Sequence, residues 1–205
     1  MVSRNEDLHG SVPDQCDVAL LLIDVINDMD FPESDQLIKH ALPAAHRIKA
    51  LQARARALNI PSIYVNDNFG KWRSDFSALL KHCLEDDVVG RPVTQLLKPQ
   101  ETDYFVLKPK HSAFFSTTLD TLLRYLHAKT LILTGFAGNI CVLFTANEAY
   151  MRDFSLIVPS DCVASNIDAE NSHALQQMKK VLKADISPSD QIELEPLLTR
   201  HKIHS

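Results

Sequence analysis

Three side chains that can carry out nucleophilic catalysis stand at the ends of predicted strands. Asp24 ends the run "VALLLID", Lys108 ends the run "DYFVLK", and Cys141 follows the run "TLILTGF" at the start of a predicted helix. A cysteine thiolate is a nucleophile, a carboxylate can accept and return its proton, and an ammonium group can orient that carboxylate. Each residue alone is also common as a cap, a surface charge or a buried apolar residue. Together they predict covalent hydrolysis.

Two of the five glycines, Gly135 and Gly138, lie in the stretch "TGFAGNIC" that ends at Cys141. Glycine allows a sharp backbone path, so that amide N–H groups rather than side chains face a substrate and can stabilise an oxyanion. A helix N-terminus and a nearby ammonium group also lower the pKa of a thiol. We therefore expect an activated nucleophile. The alternative is a tight turn that feeds a helix, with the cysteine in the core.

Strand-like and helix-like segments alternate along the chain and would bring these residues to one place. Strands are predicted at 18–24, 61–67, 103–108, 130–136, 154–160 and 184–187. Helices are predicted from Ser34 to Leu58 with an interruption at Pro43, and over 117–128, 139–153 and 169–183. Strands separated by helices pair in parallel through right-handed crossovers, which predicts an α/β three-layer sandwich with a six-stranded parallel sheet. Ligands bind at the carboxyl ends of such strands.

The composition narrows the setting of this chain. Its 205 residues suit a single domain over 1–205, and the net charge of −5 comes without a run of basic residues. We therefore expect no nucleic-acid partner and no membrane surface. Neither a spanning segment nor a signal peptide is recognisable. The four cysteines have no paired spacing, which predicts reduced thiols and a cytoplasmic location.

Three blocks resemble the isochorismatase-like cysteine hydrolases. They are "LLLIDVIND", "DYFVLKPKHSAFFSTTLDTLL" and "TLILTGFAGNICVLFTANEAYMRDFSLIVPSDC", in the order found in that family. The resemblance implies a six-stranded Rossmann-like fold and the catalytic triad Asp24, Lys108 and Cys141. It implies hydrolysis of a small amide or related C–N bond through a thioester on the cysteine, without a cofactor. We also expect a homo-oligomer, either a dimer or a tetramer.

Departures from the family pattern refine this expectation. Isochorismatases proper cleave a vinyl ether without a cysteine nucleophile, so Cys141 indicates the amidase branch. Nicotinamidases carry Asp-x-His and a further histidine for a metal, whereas this chain has Asp67-x-Phe69, so we predict no metal site. Gly138 stands where the family commonly has threonine. The family resemblance also implies a cis peptide between Phe136 and Ala137, which would place the Ala137 and Cys141 amides together as an oxyanion hole.

Five residues are candidates for binding the substrate. Asn27 could reach the site or simply form a turn. Phe31, Trp72 and Phe114 could wall a pocket for a small planar substrate, with the core as the alternative for Phe114. His111 occupies a position where the family commonly has an aromatic residue, which implies that it lines the pocket.

Two other classes of protein compete with a hydrolase. One is a non-catalytic oligomerising member that retains the fold, and rapid labelling of the cysteine would argue against it. The other is a nucleotide or flavin binder, which is disfavoured because neither G-x-G-x-x-G after the first strand nor G-x-x-x-x-G-K-[ST] occurs. Ser112 and Thr117 are expected to order the loop after Lys108, and Cys83 and Cys162 to pack in the core.

Overall fold

A six-stranded parallel sheet lies at the centre of the computed structural model, which describes residues 15–68 and 75–198. The strands are β1 (Val18–Ile23), β2 (Ser62–Asp67), β3 (Tyr104–Lys108), β4 (Thr130–Phe136), β5 (Ser155–Ile157) and β6 (Val163–Ala164). The order in the sheet is β3-β2-β1-β4-β5, and β6 pairs with the end of β4. The predicted fold class is confirmed.

The central strand β1 is buried along its whole length. Its alternate residues enter two separate cores: Val18 and Leu20 join one, whereas Ala19 and Leu21 join the other. This division follows from the two-residue period of a strand, which sends successive side chains to opposite faces. An almost unbroken apolar run is what a strand covered on both faces requires.

Helices cover both faces of the sheet. They are α1 (Ser34–Ala57), α2 (Phe76–Glu85), α3 (Arg91–Leu96), α4 (Leu119–Leu126), α5 (Leu143–Tyr150) and α6 (Asp168–Leu182), and a π-helical turn, Gly138–Val142, precedes α5. Residues of α1, α2 and α3 belong to the first core, and residues of α4, α5 and α6 belong to the second. The molecule is therefore a three-layer sandwich, and two of its short helices, α2 and α3, lie between β2 and β3 in the sequence.

The sixth strand differs from the prediction. Residues 184–187 do not form a strand; Asp185 makes only an isolated bridge to Ile157, and Val163–Ala164 pairs with β4 instead. The physical reason lies in Pro159, which has no N–H to donate and follows shortly after the three-residue strand β5. The chain then makes a short helical turn and returns to the sheet beside the carboxyl end of β4.

The segment that carries α2 and α3 is fastened to the turn after β1. The Gly90 N–H donates to the Asp28 carbonyl at 3.1 Å, and a Cβ on Gly90 would lie only 1.8 Å from the Asn27 carbonyl oxygen. On α2, His82 contacts the carboxylates of Asp28 at 3.2 Å and Asp86 at 2.6 Å. The hydrogen bond to Asp86 raises the pKa of His82 although partial burial opposes it.

This arrangement predicts a pH-dependent contribution to stability. Because the folded-state pKa of His82 is raised above its ordinary value of 6.5, the contribution is complete below 6.5 and is lost as the pH rises through the folded-state pKa. In denaturant titrations between pH 5 and 9, we expect His82→Gln to remove this slope. The exposed His173→Gln serves as the control and should keep it. An unchanged slope in His82→Gln would contradict the assignment.

Candidate active site

Four strands bring reactive side chains to the carboxyl edge of the sheet. Asp24 follows β1 directly, Asp67 ends β2, Lys108 ends β3, and Cys141 lies in the π-helical turn after β4. Because the strands are parallel, their carboxyl ends meet on one side of the sheet. The three residues of the predicted triad are therefore neighbours. Asp67 is a fourth member of this cluster, and the sequence shows it only as part of an incomplete metal motif.

The Lys108 ammonium group connects the other three side chains. Its Nζ lies 2.9 Å from Asp24 Oδ2, 3.4 Å from Asp67 Oδ2 and 3.7 Å from Cys141 Sγ. The Lys108 side chain is completely buried. Burial acts to lower its pKa, but attraction to Asp24, the cysteine and Asp67 outweighs this effect, so the pKa is raised. Lys108 is therefore charged at neutral pH.

The Asp24 carboxylate is held by the end of β2. Its Oδ1 accepts a hydrogen bond from the Asp67 N–H at 2.8 Å, and the Asp24 N–H donates to the Val65 carbonyl at 2.9 Å. The backbone of Asp24 has a positive φ of 55°, an uncommon conformation for this residue. Burial raises the pKa of Asp24, and the Lys108 ammonium group only partly opposes that rise. A raised pKa makes this carboxylate a better proton acceptor.

The state of the Cys141 thiol differs from the expectation. Burial raises the pKa of Cys141, and the negative charge of Asp24 raises it further, whereas Lys108 only partly compensates. The net pKa is therefore raised and not lowered as predicted, because burial and Asp24 outweigh the lowering effect of Lys108. Cys141 is 7% exposed and hydrogen-bonded to Asp24, so it rests as a neutral thiol whose proton already faces the carboxylate.

The turn before the cysteine does not contain the predicted cis peptide. All peptide bonds are trans in the described ranges 15–68 and 75–198, including the bond from Phe136 to Ala137. The chain changes direction instead through positive φ values of 128° at Gly135 and 52° at Ala137. These two positive φ values, separated by one residue, supply the bend.

The two glycines serve different purposes. A Cβ on Gly135 would lie 2.0 Å from the Ile23 carbonyl oxygen, in addition to the strained φ. Gly138 has an ordinary φ, but a Cβ there would lie 2.3 Å from Asn171 Oδ1 and 2.4 Å from Val163 Cγ1. Gly138 therefore allows the turn that carries Cys141 to approach β6 and α6, and a threonine, which is common at this position in the family, would clash with Val163 and Asn171.

The backbone of the π-helical turn is tightly bonded around Cys141. The Ala137 carbonyl accepts hydrogen bonds from the N–H groups of Ile140 at 2.8 Å and Val142 at 3.4 Å, one on each side of the cysteine. The Asn139 N–H donates to Ser165 Oγ at 3.2 Å. π-helical turns within α-helices are frequent at functional sites. The predicted oxyanion donors, the amides of Ala137 and Cys141, stand at the start and near the end of this turn.

His111 is the predicted substrate-binding residue that reaches the nucleophile. Its Nδ1 lies 4.0 Å from Cys141 Sγ, and its ring packs against Phe144 with 5.6 Å between the ring centroids. Both residues are exposed, so His111 lies on the solvent side of the thiol with Phe144 beside it. Trp72, another predicted pocket residue, lies outside the described residues.

The other predicted pocket residues have structural contacts. Asn27 is buried, and its Oδ1 accepts a hydrogen bond from the Met29 N–H at 2.7 Å, which is the turn-forming alternative. Phe31 lines a cavity of about 340 Å³ beside His82 and packs against the first core. This places Phe31 on the α1 side of the sheet.

Phe114 belongs to the second core, as the alternative interpretation held. It is 4% exposed, its ring lies 6.1 Å from that of Phe154, and the Arg152 guanidinium lies 4.7 Å above its face. The surrounding loop is ordered in the expected way, because Ser112 Oγ accepts from the Phe114 N–H and Thr117 Oγ1 donates to the Ala113 carbonyl.

The remaining thiols and possible metal ligands do not form a second site in the described ranges. Within residues 15–68 and 75–198, no group of three or more histidine, cysteine or acidic residues is arranged to hold a metal ion. Asp67, which stands at the metal-motif position, contacts Lys108 instead. Cys83 and Cys162 are fully buried in the first core. None of the described helices is long and apolar enough to cross a membrane.

Sequence comparison identifies the family. The isochorismatase domain matches residues 18–190, so the chain belongs to the isochorismatase family of hydrolases. An uncharacterized isochorismatase family protein, YaaI of Bacillus subtilis, is 43% identical over 87% of this chain and 97% of its own length. The ureidoacrylate amidohydrolase RutB of Methylorubrum extorquens is 40% identical over 65 residues, which are 32% of this chain and 26% of RutB.

Solved structures agree with this assignment. N-carbamoylsarcosine amidase from Thermoplasma acidophilum has a TM-score of 0.65 and 26% identity, covering 86% of this chain and 98% of its own. A pyrazinamidase/nicotinamidase from Streptococcus mutans has a TM-score of 0.64 and 25% identity, covering 82% of this chain and 99% of its own. The chain is thus similar to amidases over nearly their whole length.

The two residues with positive φ before Cys141, Gly135 and Ala137, should respond differently to substitution. Gly135→Ala introduces both a strained φ and a clash with the Ile23 carbonyl, so we expect it to lower the free energy of unfolding by more than about 2 kcal/mol. Ala137→Gly relieves a positive φ and should change it by less than about 1 kcal/mol. Urea titrations compare the two. Equal losses would contradict the described backbone.

Proposed function

We propose that this protein hydrolyses a small amide or ureido C–N bond through a thioester on Cys141. The observation that carries the proposal is one buried ammonium group, Lys108 Nζ, in contact with a carboxylate, Asp24, and a thiol, Cys141. Such a group is costly to bury unless it is paired, so its position between these two side chains favours a chemical role.

The first step begins from the neutral thiol. Cys141 Sγ attacks the amide carbon while the thiol proton moves to Asp24, whose raised pKa favours its acceptance. Lys108 keeps its proton and orients the carboxylate. The thiolate thus forms only as the substrate is attacked, and the attack gives a tetrahedral intermediate with a negatively charged oxygen.

The intermediate then collapses. The backbone amides of Ala137 and Cys141, in a turn whose peptide bonds are all trans, are the proposed donors to its oxygen. Asp24 returns the proton to the nitrogen of the leaving amine or ammonia, and the C–N bond breaks to leave a thioester. Water next attacks the thioester carbon, gives a proton to Asp24, and releases the acid and the Cys141 thiol, which regains that proton.

The relatives indicate where to look for the substrate. The names of N-carbamoylsarcosine amidase and ureidoacrylate amidohydrolase indicate substrates with an N-carbamoyl or ureido group. The name nicotinamidase indicates an aromatic amide. In this chain, His111 lies on the solvent side of the thiol with Phe144 packed against its ring, and we propose that both contact the part of the substrate beyond the scissile bond.

Ammonia release from a panel of small amides tests this function. The panel should contain N-carbamoyl amino acids, ureido acids, nicotinamide and simple aliphatic amides. We expect turnover in the wild type and a loss of about 10³-fold or more in Cys141→Ala. Cys16→Ala is the matched control, because Cys16 is buried to nearly the same extent, 8% against 7% exposed.

Trapping the intermediate separates a thioester from other mechanisms. Acid-quenched reactions should show a mass increase, equal to that of the acyl group, on the peptide that contains Cys141. Turnover that survives Cys141→Ala, or an acyl group on another residue, would refute the proposed mechanism. Failure of every substrate in the panel would favour the non-catalytic alternative.

The raised pKa of Asp24 predicts an unusual acid limb in the pH profile. The reaction needs the carboxylate form, so kcat/KM should fall as the pH is lowered through a value clearly above the ordinary 3.8. Asp24→Asn should abolish turnover, whereas Asp30→Asn, an exposed substitution in the same loop, should leave the profile unchanged. An inflection at or below 3.8 would contradict the assigned role.

Metal independence remains a prediction that needs its own experiment. Since Asp67 contacts Lys108, we expect chelators such as EDTA to leave kcat unchanged and elemental analysis to find no stoichiometric zinc, iron or manganese. Activity that is lost to EDTA and restored by a divalent ion would show that Asp67 is a metal ligand in the working enzyme.

A further inference from the structure

The loop after β3 has to cross two strands to reach the nucleophile. In the sheet, β2 and β1 lie between β3 and β4, and neighbouring strands are about 4.8 Å apart, so the distance to cross is about 14 Å. Lys108 covers part of this distance with its long side chain. His111 lies farther along the loop, yet its Nδ1 is 4.0 Å from Cys141 Sγ. The loop must therefore make a contact of its own that holds His111 beside Cys141 and α5.

One threonine hydroxyl joins the loop to the nucleophile. Thr145, on α5, donates its hydroxyl proton to the Cys141 carbonyl at 2.7 Å and accepts a hydrogen bond from the Ala113 N–H at 3.0 Å. Thr145 is completely buried. Because a hydroxyl has a single proton, donation to the cysteine carbonyl leaves its lone pairs to receive the amide of the loop.

Ala113 is also held through its carbonyl group. The Ala113 carbonyl accepts a hydrogen bond from Thr117 Oγ1 at 2.6 Å, and Ala113 is fully buried. A buried amide N–H without a partner is costly, so displacement of the loop would require breaking a bond that water cannot readily replace. His111 precedes this fixed residue by two positions and therefore has little freedom to move away from the thiol.

We propose that Thr145 is a positioning residue, whose hydroxyl holds His111 over the Cys141 thiol by joining Ala113 to the carbonyl of the nucleophile. This inference rests on the proposed function where turnover is measured, but its geometry can be tested separately. A displacement of about 1 Å in an active site can cost about 100-fold in rate. We therefore expect loss of the Thr145 hydroxyl to lower kcat/KM, although this hydroxyl does not itself contact the substrate.

A double-mutant cycle tests whether the effect passes through His111. Thr145→Val removes the hydroxyl but keeps the shape of the side chain, and we expect kcat/KM to fall about 10- to 100-fold. Thr145→Ser keeps the hydroxyl and should remain within about threefold of the wild type. In the His111→Ala background, the further effect of Thr145→Val should also be less than about threefold, because the group that it positions is gone.

Thr134→Val is the matched control. Thr134 is also fully buried, and its hydroxyl also donates to a backbone carbonyl, that of Leu21 at 2.8 Å, but among the residues that the structure describes it does not bond to the loop after β3. It should therefore cost stability without lowering kcat/KM. Should Thr145→Val fail to fold, Thr117→Val releases the other end of Ala113 and is expected to lower kcat/KM in the same His111-dependent way.

Alkylation of Cys141 by iodoacetamide, followed by mass spectrometry, gives a second measurement that needs no substrate. Thr145→Val should change the alkylation rate at least about threefold when His111 is present, and less than that in His111→Ala. If the amide panel shows no turnover, this cycle still decides the inference. A full effect of Thr145→Val in the His111→Ala background, an unchanged alkylation rate, or an equal effect of Thr134→Val would overturn it.

Discussion

A completely buried ammonium group is the constraint on which the arrangement of this site depends. Lys108 Nζ contacts the carboxylates of Asp24 and Asp67 and the Cys141 thiol, and these four residues come from four successive positions in the sheet. A buried charge that loses its partners costs several kcal/mol, roughly 3–5 in measured cases. The ends of β1, β2, β3 and β4 must therefore stay in register with each other. Two features maintain that register: the two apolar cores, and Gly135, which lets β4 pass close to Ile23.

The same charge also determines where the protons rest. One ammonium group lies between two carboxylates, so the cluster of Asp24, Asp67 and Lys108 carries an excess negative charge beside Cys141. Together with burial, this charge raises the pKa of the thiol and leaves the proton on sulfur. Burial also raises the pKa of Asp24, which suits the proton transfer that we propose for this carboxylate. The proposed mechanism therefore starts from a neutral thiol and not from a permanent thiolate.

The pattern of apolar runs in the sequence predicts that Asp24, Lys108 and Cys141 lie at one edge of the sheet, because the end of each run is visible. This pattern does not predict contacts and pKa values that depend on packing between strands and layers. The contact of Asp67 with Lys108 depends on the register of β2 with β3, and the raised pKa of Cys141 depends on its burial. The sixth strand was misplaced because Val163–Ala164 is too short to give a periodic signal. The cis peptide was an inference from likeness, whereas the positive φ of Ala137 has no signature in the sequence.

The neutral, buried thiol has a consequence for the chemical durability of the protein. Hydrogen peroxide and other oxidants attack the thiolate, and susceptibility follows thiolate character and exposure. Cys141 has little of either at rest, and the other three cysteines are buried as well. A nucleophile kept in this form resists conversion to sulfenic and sulfinic acids while it waits for a substrate. The burial that keeps the proton on the Cys141 sulfur should therefore also slow its oxidation.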